Sequence, residues 1–342
     1  MKVLVTGGAG YIGSHTVLCL LNAGFDVVVY DNLCNSSEES ILRVQQLTGK
    51  QVEFIEGDIQ QTSKLDAVFS NHQINAVIHF AALKAVGEST QVPLSYYQNN
   101  VHGTICLLEV MAKHKVTDFI FSSSATVYGE ENDFPYVETM KLGTPSSPYG
   151  ASKVMVERIM TDLAIADDAF RGVSLRYFNP IGAHESGNIG EDPKGIPNNL
   201  LPFVAQVAVG KREKLSVFGD DYATEDGSCE RDYLHVMDLA EGHVAALNWL
   251  QTNAEFRGVE AFNLGTGTGT SVFAIINAFE SATDVKIPYH VAPRRNGDLP
   301  AFWANATKAN SQLKWQAKRS LQQMMADIWR WQSANPNGYE LN

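Results

Sequence analysis

Short apolar runs and amphipathic stretches alternate along the first half of the chain. Residues 2–6 are an apolar run that meets a cluster of glycines. Beyond it Ile12, Val17, Leu18, Leu20 and Leu21 fall near helical spacing, until Asn22-Ala23-Gly24 stops the helix. Residues 26–30 read as a second strand ending at Asp31, 38–47 as a charged helix, 52–58 as a third strand and 76–82 as a fourth, nearly all apolar. A long helical pattern over 93–116 precedes a fifth strand at 118–124; a helix over 149–167 precedes a sixth at 173–179. Apolar strands separated by helices predict an α/β fold, a Rossmann-type doubly wound parallel sheet covered on both faces. From 181 to 202 the texture changes to Gly, Pro and Asn, which sets the expected boundary. Residues 1–179 form one domain, with 232–265 returning to it, and 180–342 form a smaller mixed α/β domain.

The first turn carries the first chemical signal. Gly8, Gly10 and Gly13 have the G-x-G-x-x-G spacing, and Gly7 adds the G-x-x-G-x-x-G form of the same turn. Glycine permits a tight strand-to-helix turn and close approach of a pyrophosphate to the N–H groups at the helix start. Asp31, about 20 residues on, is placed to bond a ribose 2′-hydroxyl and to repel a 2′-phosphate, so NAD is favoured over NADP.

Composition narrows the picture. The chain has 342 residues, 44% of them hydrophobic, and a formal net charge of −12. That acidity, without a long Lys/Arg run, argues against nucleic acid or an anionic membrane as a partner. No apolar run approaches the roughly 20 residues that cross a bilayer, and no basic-then-apolar leader opens the chain. Cys19, Cys34, Cys106 and Cys229 form no C-x-x-C pair and read as free thiols of a reducing cytoplasm. No metal site is expected, because the nine histidines include no H-E-x-x-H pattern. The apolar load of the 93–116 helix suits either a core helix or a helix shared in a dimer.

Tyr149 and Lys153 lie four apart at a helix start, so both project from one face. They follow a strand that ends in Ser124. A free phenol titrates near 10, so about one in a thousand is ionised at neutral pH. An ammonium beside it, with the positive nicotinamide of NAD⁺, favours phenolate. Tyr149 is therefore the candidate base toward a substrate alcohol, and Ser124 the group that holds the same oxygen.

The glycine loop, the strand-end serine and Tyr149-Gly150-Ala151-Ser152-Lys153 together resemble the extended short-chain dehydrogenase/reductase family. The likeness is sharpened by Ser122-Ser123-Ser124-Ala125-Thr126-Val127-Tyr128-Gly129 and Arg176-Tyr177-Phe178-Asn179-Pro180. Gly195-Ile196-Pro197-Asn198-Asn199-Leu200, Arg231-Asp232-Tyr233 and Ala292-Pro293-Arg294-Arg295 extend it over essentially the entire length. It implies a reversible inversion at C4 of UDP-glucose and UDP-galactose through a transient 4-keto sugar, with the hydride held by tightly bound NAD. By motif, Tyr11, Ile12, Asp31, Asn32, Asn35, Ser36, Asp58, Ile59, Phe80, Ala81, Ala82, Lys84, Asn99, Tyr177 and Phe178 resemble the family's NAD shell. Asn179, Asn199, Leu200, Phe218, Arg231, Arg295 and Asp298 resemble its UDP-sugar shell, the arginines pairing with diphosphate oxygens. The family resemblance further implies a homodimer through helices such as 93–116 and 149–167.

Two positions depart from the pattern or qualify it. Ala82 stands where related sequences often have glycine, and Phe302 occupies the place that limits the sugar 2-substituent, which argues for glucose and galactose over their N-acetyl forms. The rival readings are inversion of another UDP-hexose, a nucleotide-sugar 4,6-dehydratase, and a non-catalytic NAD-binding protein of the same fold. Dehydration wants an Asp-Glu pair after the strand-end hydroxyl, where this chain has Ala125 and Thr126; the presence of Ser124, Tyr149 and Lys153 argues for an enzyme.

Overall fold

In the computed structural model, which describes residues 1–340 apart from 196, 198, 296 and 297, strands and helices alternate from the first residues. Ile196 and Asn198 of the motif quoted above thus lie outside the described residues. β1 (Lys2–Thr6), α1 (Tyr11–Asn22), β2 (Asp26–Asp31), α2 (Glu39–Thr48), β3 (Glu53–Glu56), α3 (Thr62–Asn71) and β4 (Ile74–His79) come first. α4 (Val86–Gln91), α5 (Pro93–Tyr96) and α6 (Gly103–Lys113) lead to β5 (Asp118–Ser122), α7 (Pro148–Ala166) and β6 (Arg171–Tyr177). Next are β7 (Asn179–Ile181), α8 (Leu200–Ala208), β8 (Leu215–Phe218), β9 (Glu230–Arg231), β10 (Tyr233–His235), α9 (Val236–Thr252) and β11 (Gly258–Leu264). β12 (Thr270–Ser271), α10 (Val272–Thr283), β13 (Tyr289–Ala292), β14 (Ala301–Phe302) and α11 (Leu321–Ala334) follow.

Seven strands pair in parallel in the order β11-β6-β5-β4-β1-β2-β3. The chain moves outward from β1 through β3 and then returns to place β4 on the other side of β1. That reversal opens a crevice at the carboxyl ends of β1 and β4. Of the two strands within the 232–265 segment expected to return, β11 pairs with β6 along its whole length, whereas β10 pairs with β7 outside the large sheet. α9, which follows β10, packs on α1.

Alternation along the strands feeds two cores. Val3 and Val5 pack with Val17, Leu20 and Leu21 of α1 and with Leu239, Leu247 and Leu250 of α9. Leu4, between them, points to the other face and meets Leu65 and Phe69 of α3, Leu107 and Met111 of α6, and Val156 and Met160 of α7. A third core, built from α8, α10 and α11 around Val204, Ile276, Phe279 and Met325, supports the smaller sheets.

Several element ends differ from the pattern-based expectation, β5 stopping at Ser122 and β6 at Tyr177, and two further differences shape the site. β4 stops at His79, so Phe80 to Ala82 leave the sheet as a loop. The helix expected over 93–116 is broken by one wide π turn at Tyr97–His102. Such turns insert a residue and re-aim their side chains. Here Asn100 turns inward, accepting from Leu83 N (2.8 Å) and donating to Leu83 O (2.9 Å) and Ser152 Oγ (3.1 Å). It thereby ties the loop after β4 to α7.

Asp232, fully buried between β9 and β10, ties the turn after β11 to the segment after β14. One oxygen accepts from Thr266 N (2.8 Å) and Thr266 Oγ (2.6 Å), the other from Gly267 N (3.0 Å) and Ala304 N (3.1 Å). Asp232→Ala strands all four donors, and the expected loss is about 3 kcal/mol of stability, read as a lower thermal midpoint. A variant that melts with the wild type would remove this role from Asp232.

Candidate active site

The glycine turn is shaped by close backbone approach. Gly7 has φ +69°, and a Cβ there would stand 2.6 Å from Ala81 N; a Cβ on Gly13 would stand 2.2 Å from Gly7 O. Only glycine admits both contacts, so the turn stays flat against the loop after β4. Gly10 caps α1 without a side chain and the first helical turn holds no acid, which leaves its N–H groups to a ligand. Asp31 ends β2 beside this turn, accepting from Ala9 N (3.0 Å), Leu33 N (2.9 Å) and Ser36 Oγ (2.8 Å). A carboxylate pinned there is compatible with a ribose hydroxyl and opposes a second phosphate.

An open cleft, about 1120 Å³ with the solvent at its mouth included, runs from this turn along the carboxyl ends of the strands. Gly7, Gly10, Tyr11, Ile12, Gly13, Asp31, Asn32, Asn35, Ser36 and Ile59 line one part of it. Phe80, Ala81, Ala82, Lys84, Asn99, Tyr149, Lys153 and Tyr177 line the remainder. Asp58 stands behind this wall and accepts from Asn32 Nδ2 at 3.0 Å. Phe178 faces elsewhere, packing with Tyr136 and Phe302. The glycine turn, the free helix start and the placed carboxylate fit a dinucleotide such as NAD.

Several lining groups escaped the sequence reading. Glu191, Asp192, Pro193 and Tyr339, far along the chain from the glycine turn, also line the cleft. Glu191 meets Lys84 Nζ at 3.1 Å, and Lys194 Nζ donates to Leu33 O at 2.6 Å. Arg43 of α2 lies over the rings of Tyr339 and Trp331, at 5.2 and 5.9 Å. These side chains belong to irregular or distant segments, and no local spacing marks them. Among the described residues, no group of three His, Cys, Asp or Glu is arranged to hold a metal ion.

At the far end of the cleft α7 presents Tyr149 and Lys153 to the end of β5. Pro148 opens this helix and Ser147 caps it, its Oγ accepting from Gly150 N at 3.2 Å. Ser124 is buried, takes Thr126 N on its Oγ at 3.3 Å, and hydrogen-bonds the Tyr149 phenol. Lys153 Nζ donates to Ser122 O at 2.7 Å and lies 5.8 Å from the Tyr149 ring and 4.7 Å from that of Phe121. The charge logic differs from the expectation of a phenol depressed by its lysine. Burial pushes Tyr149 well up, Tyr177 adds to the rise, and the Ser124 hydrogen bond offsets part of it. Burial likewise brings Lys153 down to about 7, against the upward pull of Glu157. The protein alone therefore holds a neutral phenol, because two dry groups each resist ionisation.

The residues expected at the sugar side form a second cluster. Arg295 Nε pairs with Asp298 at 2.8 Å, and Arg231 Nη2 approaches the same carboxylate at 3.4 Å. Arg295 lies 4.9 Å over Phe218 and Arg231 lies 4.6 Å over Phe302. Asn199 caps α8 ahead of Leu200 and donates from Nδ2 to Glu191 at 3.3 Å. Asn179 begins β7, two residues beyond Tyr177. Tyr177 lines the cleft, while Phe178, next in sequence, packs on Phe302, over which Arg231 lies. Ser122 Oγ donates to Tyr177 OH at 3.0 Å.

Comparison with known proteins gives the family of the chain. A sequence family described as GDP-mannose 4,6 dehydratase matches residues 4–328. The UDP-glucose 4-epimerase of Erwinia amylovora is 60% identical over 338 residues, 99% of each chain, and that of Yersinia pestis 57% identical over 339 residues with the same coverage. The crystal structure of UDP-glucose 4-epimerase from Bifidobacterium longum in complex with NAD⁺ and UDP superposes with a TM-score of 0.95. It is 50% identical and covers 99% of this chain and 100% of its own.

Proposed function

The chain belongs to the UDP-glucose 4-epimerase family of extended short-chain dehydrogenases/reductases, and we propose on that premise that it interconverts UDP-glucose and UDP-galactose on a retained NAD. The observation that carries the reading is the presence of Tyr149 and Lys153, with Ser124 hydrogen-bonded to the phenol, in the lining of the cleft that starts at the glycine turn. Residues 1–179 with 232–265 form the NAD-binding domain in this reading, and 180–342 the UDP-sugar domain. Gly7, Gly10 and Gly13 let the pyrophosphate reach the start of α1, and Asp31 takes the adenosine ribose. NAD, when bound, supplies the acceptor and donor of the C4 hydride and a positive ring charge beside the phenol.

The side chains of this protein do the proton work. Tyr149 takes the proton of the sugar 4-hydroxyl and returns it after the 4-keto sugar has turned over. Ser124 holds that oxygen in line, and Lys153, anchored on Ser122 O, supplies positive charge to the same corner. Arg231 and Arg295 exchange their shared partner Asp298 for diphosphate oxygens. Phe218 offers a stacking face to uracil, and Asn179, Asn199 and Leu200 complete the nucleotide-sugar wall. Phe302, braced by Tyr136 and Phe178, limits the room at the sugar 2-position. The dehydratase description attached to the matched family lacks support here: the turn after Ser124, Ala125–Tyr128, offers no carboxylic acid for removal of water.

The chain is read as a homodimer of the cytoplasm. Leu94 is 81% exposed, and Val86, Val92 and Met155 also stand open on α4, α7 and the segment between α4 and α5, an apolar area that a second copy would cover. Its four free cysteines suit a reducing compartment. No described helix is long and apolar enough to cross a membrane.

Three measurements check these assignments. Tyr149→Phe should lose about a hundredfold or more in turnover of UDP-galactose, yet keep its NAD through dialysis; substantial residual epimerisation would show that another group is the base. Phe302→Gly should admit UDP-N-acetylglucosamine, and continued rejection of that sugar would take size selection away from Phe302. Sedimentation should give twice the chain mass, with Leu94→Asp shifting the protein toward monomer; a monomeric wild type at micromolar concentration would refute the dimer.

A further inference from the structure

Behind the candidate base lies a buried ion pair that touches neither the cleft nor the arginine cluster. Glu157 follows Tyr149 and Lys153 on the same stripe of α7, two turns and one turn later, and is 5% exposed. Its Oε1 accepts from Ser123 Oγ at 2.6 Å and Arg176 Nε at 3.0 Å; its Oε2 accepts from Arg176 Nη2 at 2.6 Å. Arg176, on β6 beside Tyr177, also donates to Tyr128 OH at 3.2 Å, and that hydroxyl donates to Asn263 Oδ1 of β11 at 2.6 Å. Ser123 lies between Ser122, whose carbonyl takes the Lys153 ammonium, and Ser124. One carboxylate thus grips the end of β5, the strand β6 and the helix that carries the base.

A buried pair is weak evidence for stability, since apolar residues of the same volume often do as well. Its fixed geometry is what the site can use. We propose that Glu157 is a positioning residue for epimerisation: through Ser123 and Arg176 it sets the depth of α7 against β5 and β6, and it places a negative charge beneath Lys153. The proposal rests on the reading of Tyr149 and Lys153 given above. A misplacement of about 1 Å at a reacting group can cost a hundredfold in rate, and Glu157 controls the seat of all three groups without touching substrate.

The charge has its own consequence. The groups around Lys153 are Tyr149 and Glu157 on α7, His79 on β4, the Ser122 carbonyl and Phe121 ring on β5, and Arg176 beyond Glu157 on β6. Tyr177 and Tyr96 surround Tyr149 itself. His79 is held neutral by burial, and its ring bonds Thr6 and Thr104. Glu157 is the group that favours the ammonium against burial. Removing its charge makes Lys153 lose its proton at lower pH, so the alkaline limb of kcat moves toward acid.

The experiment measures kcat, KM and thermal midpoint of the holoenzyme with UDP-galactose across pH for Glu157→Gln, for Glu157→Gln with Arg176→Gln, and for Ser123→Ala. In Glu157→Gln, kcat should fall about tenfold with KM within about twofold, and the alkaline limb should move down by about one pH unit. The double variant, which leaves no unpaired charge and guards against misfolding of the single one, should show the same loss in kcat. Ser123→Ala removes one grip and keeps the carboxylate, so kcat should fall about fivefold with the limb unmoved. A lowered melting point with kcat and limb unchanged in the folded variants would mean that Glu157 serves the fold alone. If neither Gln variant folds, wild-type kcat in Ser123→Ala overturns the proposal. Failure of the wild type to epimerise UDP-galactose, or full activity of Tyr149→Phe, would instead overturn the underlying assignment.

Discussion

The close approach of the first turn to the loop after β4 is the contact on which the remaining geometry depends. Gly13 touches Gly7 and Gly7 touches Ala81 at separations that leave no room for a methyl group. Because β1 sits where the strand order reverses, this contact decides how far the crevice opens and where α1 aims its free N–H groups. Asp31 at the end of β2 and Asn100 behind the Leu83 loop fix the two neighbouring walls. A bulkier turn would displace all three together.

Around this turn, polar groups are buried where elements must meet at a defined distance. Asp232 gathers four donors from segments far apart in the chain, and Glu157 joins α7 to β5 and β6. Hydrogen bonds lose strength steeply with distance and angle, so such groups enforce a position that apolar packing leaves looser. The consequence is sharpest at Lys153 and Tyr149, two ionisable groups held dry with their protonation set by what surrounds them. A phenol raised by burial is poised for a cationic ring to make it a base, which links proton removal to the presence of the cofactor.

Beside the cleft, Glu191, Lys194 and Tyr339 from late in the chain meet Lys84, Leu33 and Arg43 from its first part. A ligand seated on the glycine turn is covered from that side as well. In the proposed reaction, where the hydride returns to the carbon it left, the turn serves as an anchor for a held group.

Periodicity and glycine spacing determined the class of sheet, the place of α1 and the acid after β2, because those depend on contacts within about 30 residues. Tyr149 and Lys153 were legible for the same reason, as neighbours on one helical face, and the arginines through their motifs. Tertiary structure alone decided the π turn that aims Asn100, the end of β4 at His79, and the closure by Glu191 and Tyr339. It also decided protonation: sequence brings an ammonium near a phenol, but the lysine reaches Ser122 O instead, and burial governs both groups. Spacing along a chain specifies which residues share a face. Desolvation and long-range pairing, such as Glu157 with Arg176, exist only once the faces have met.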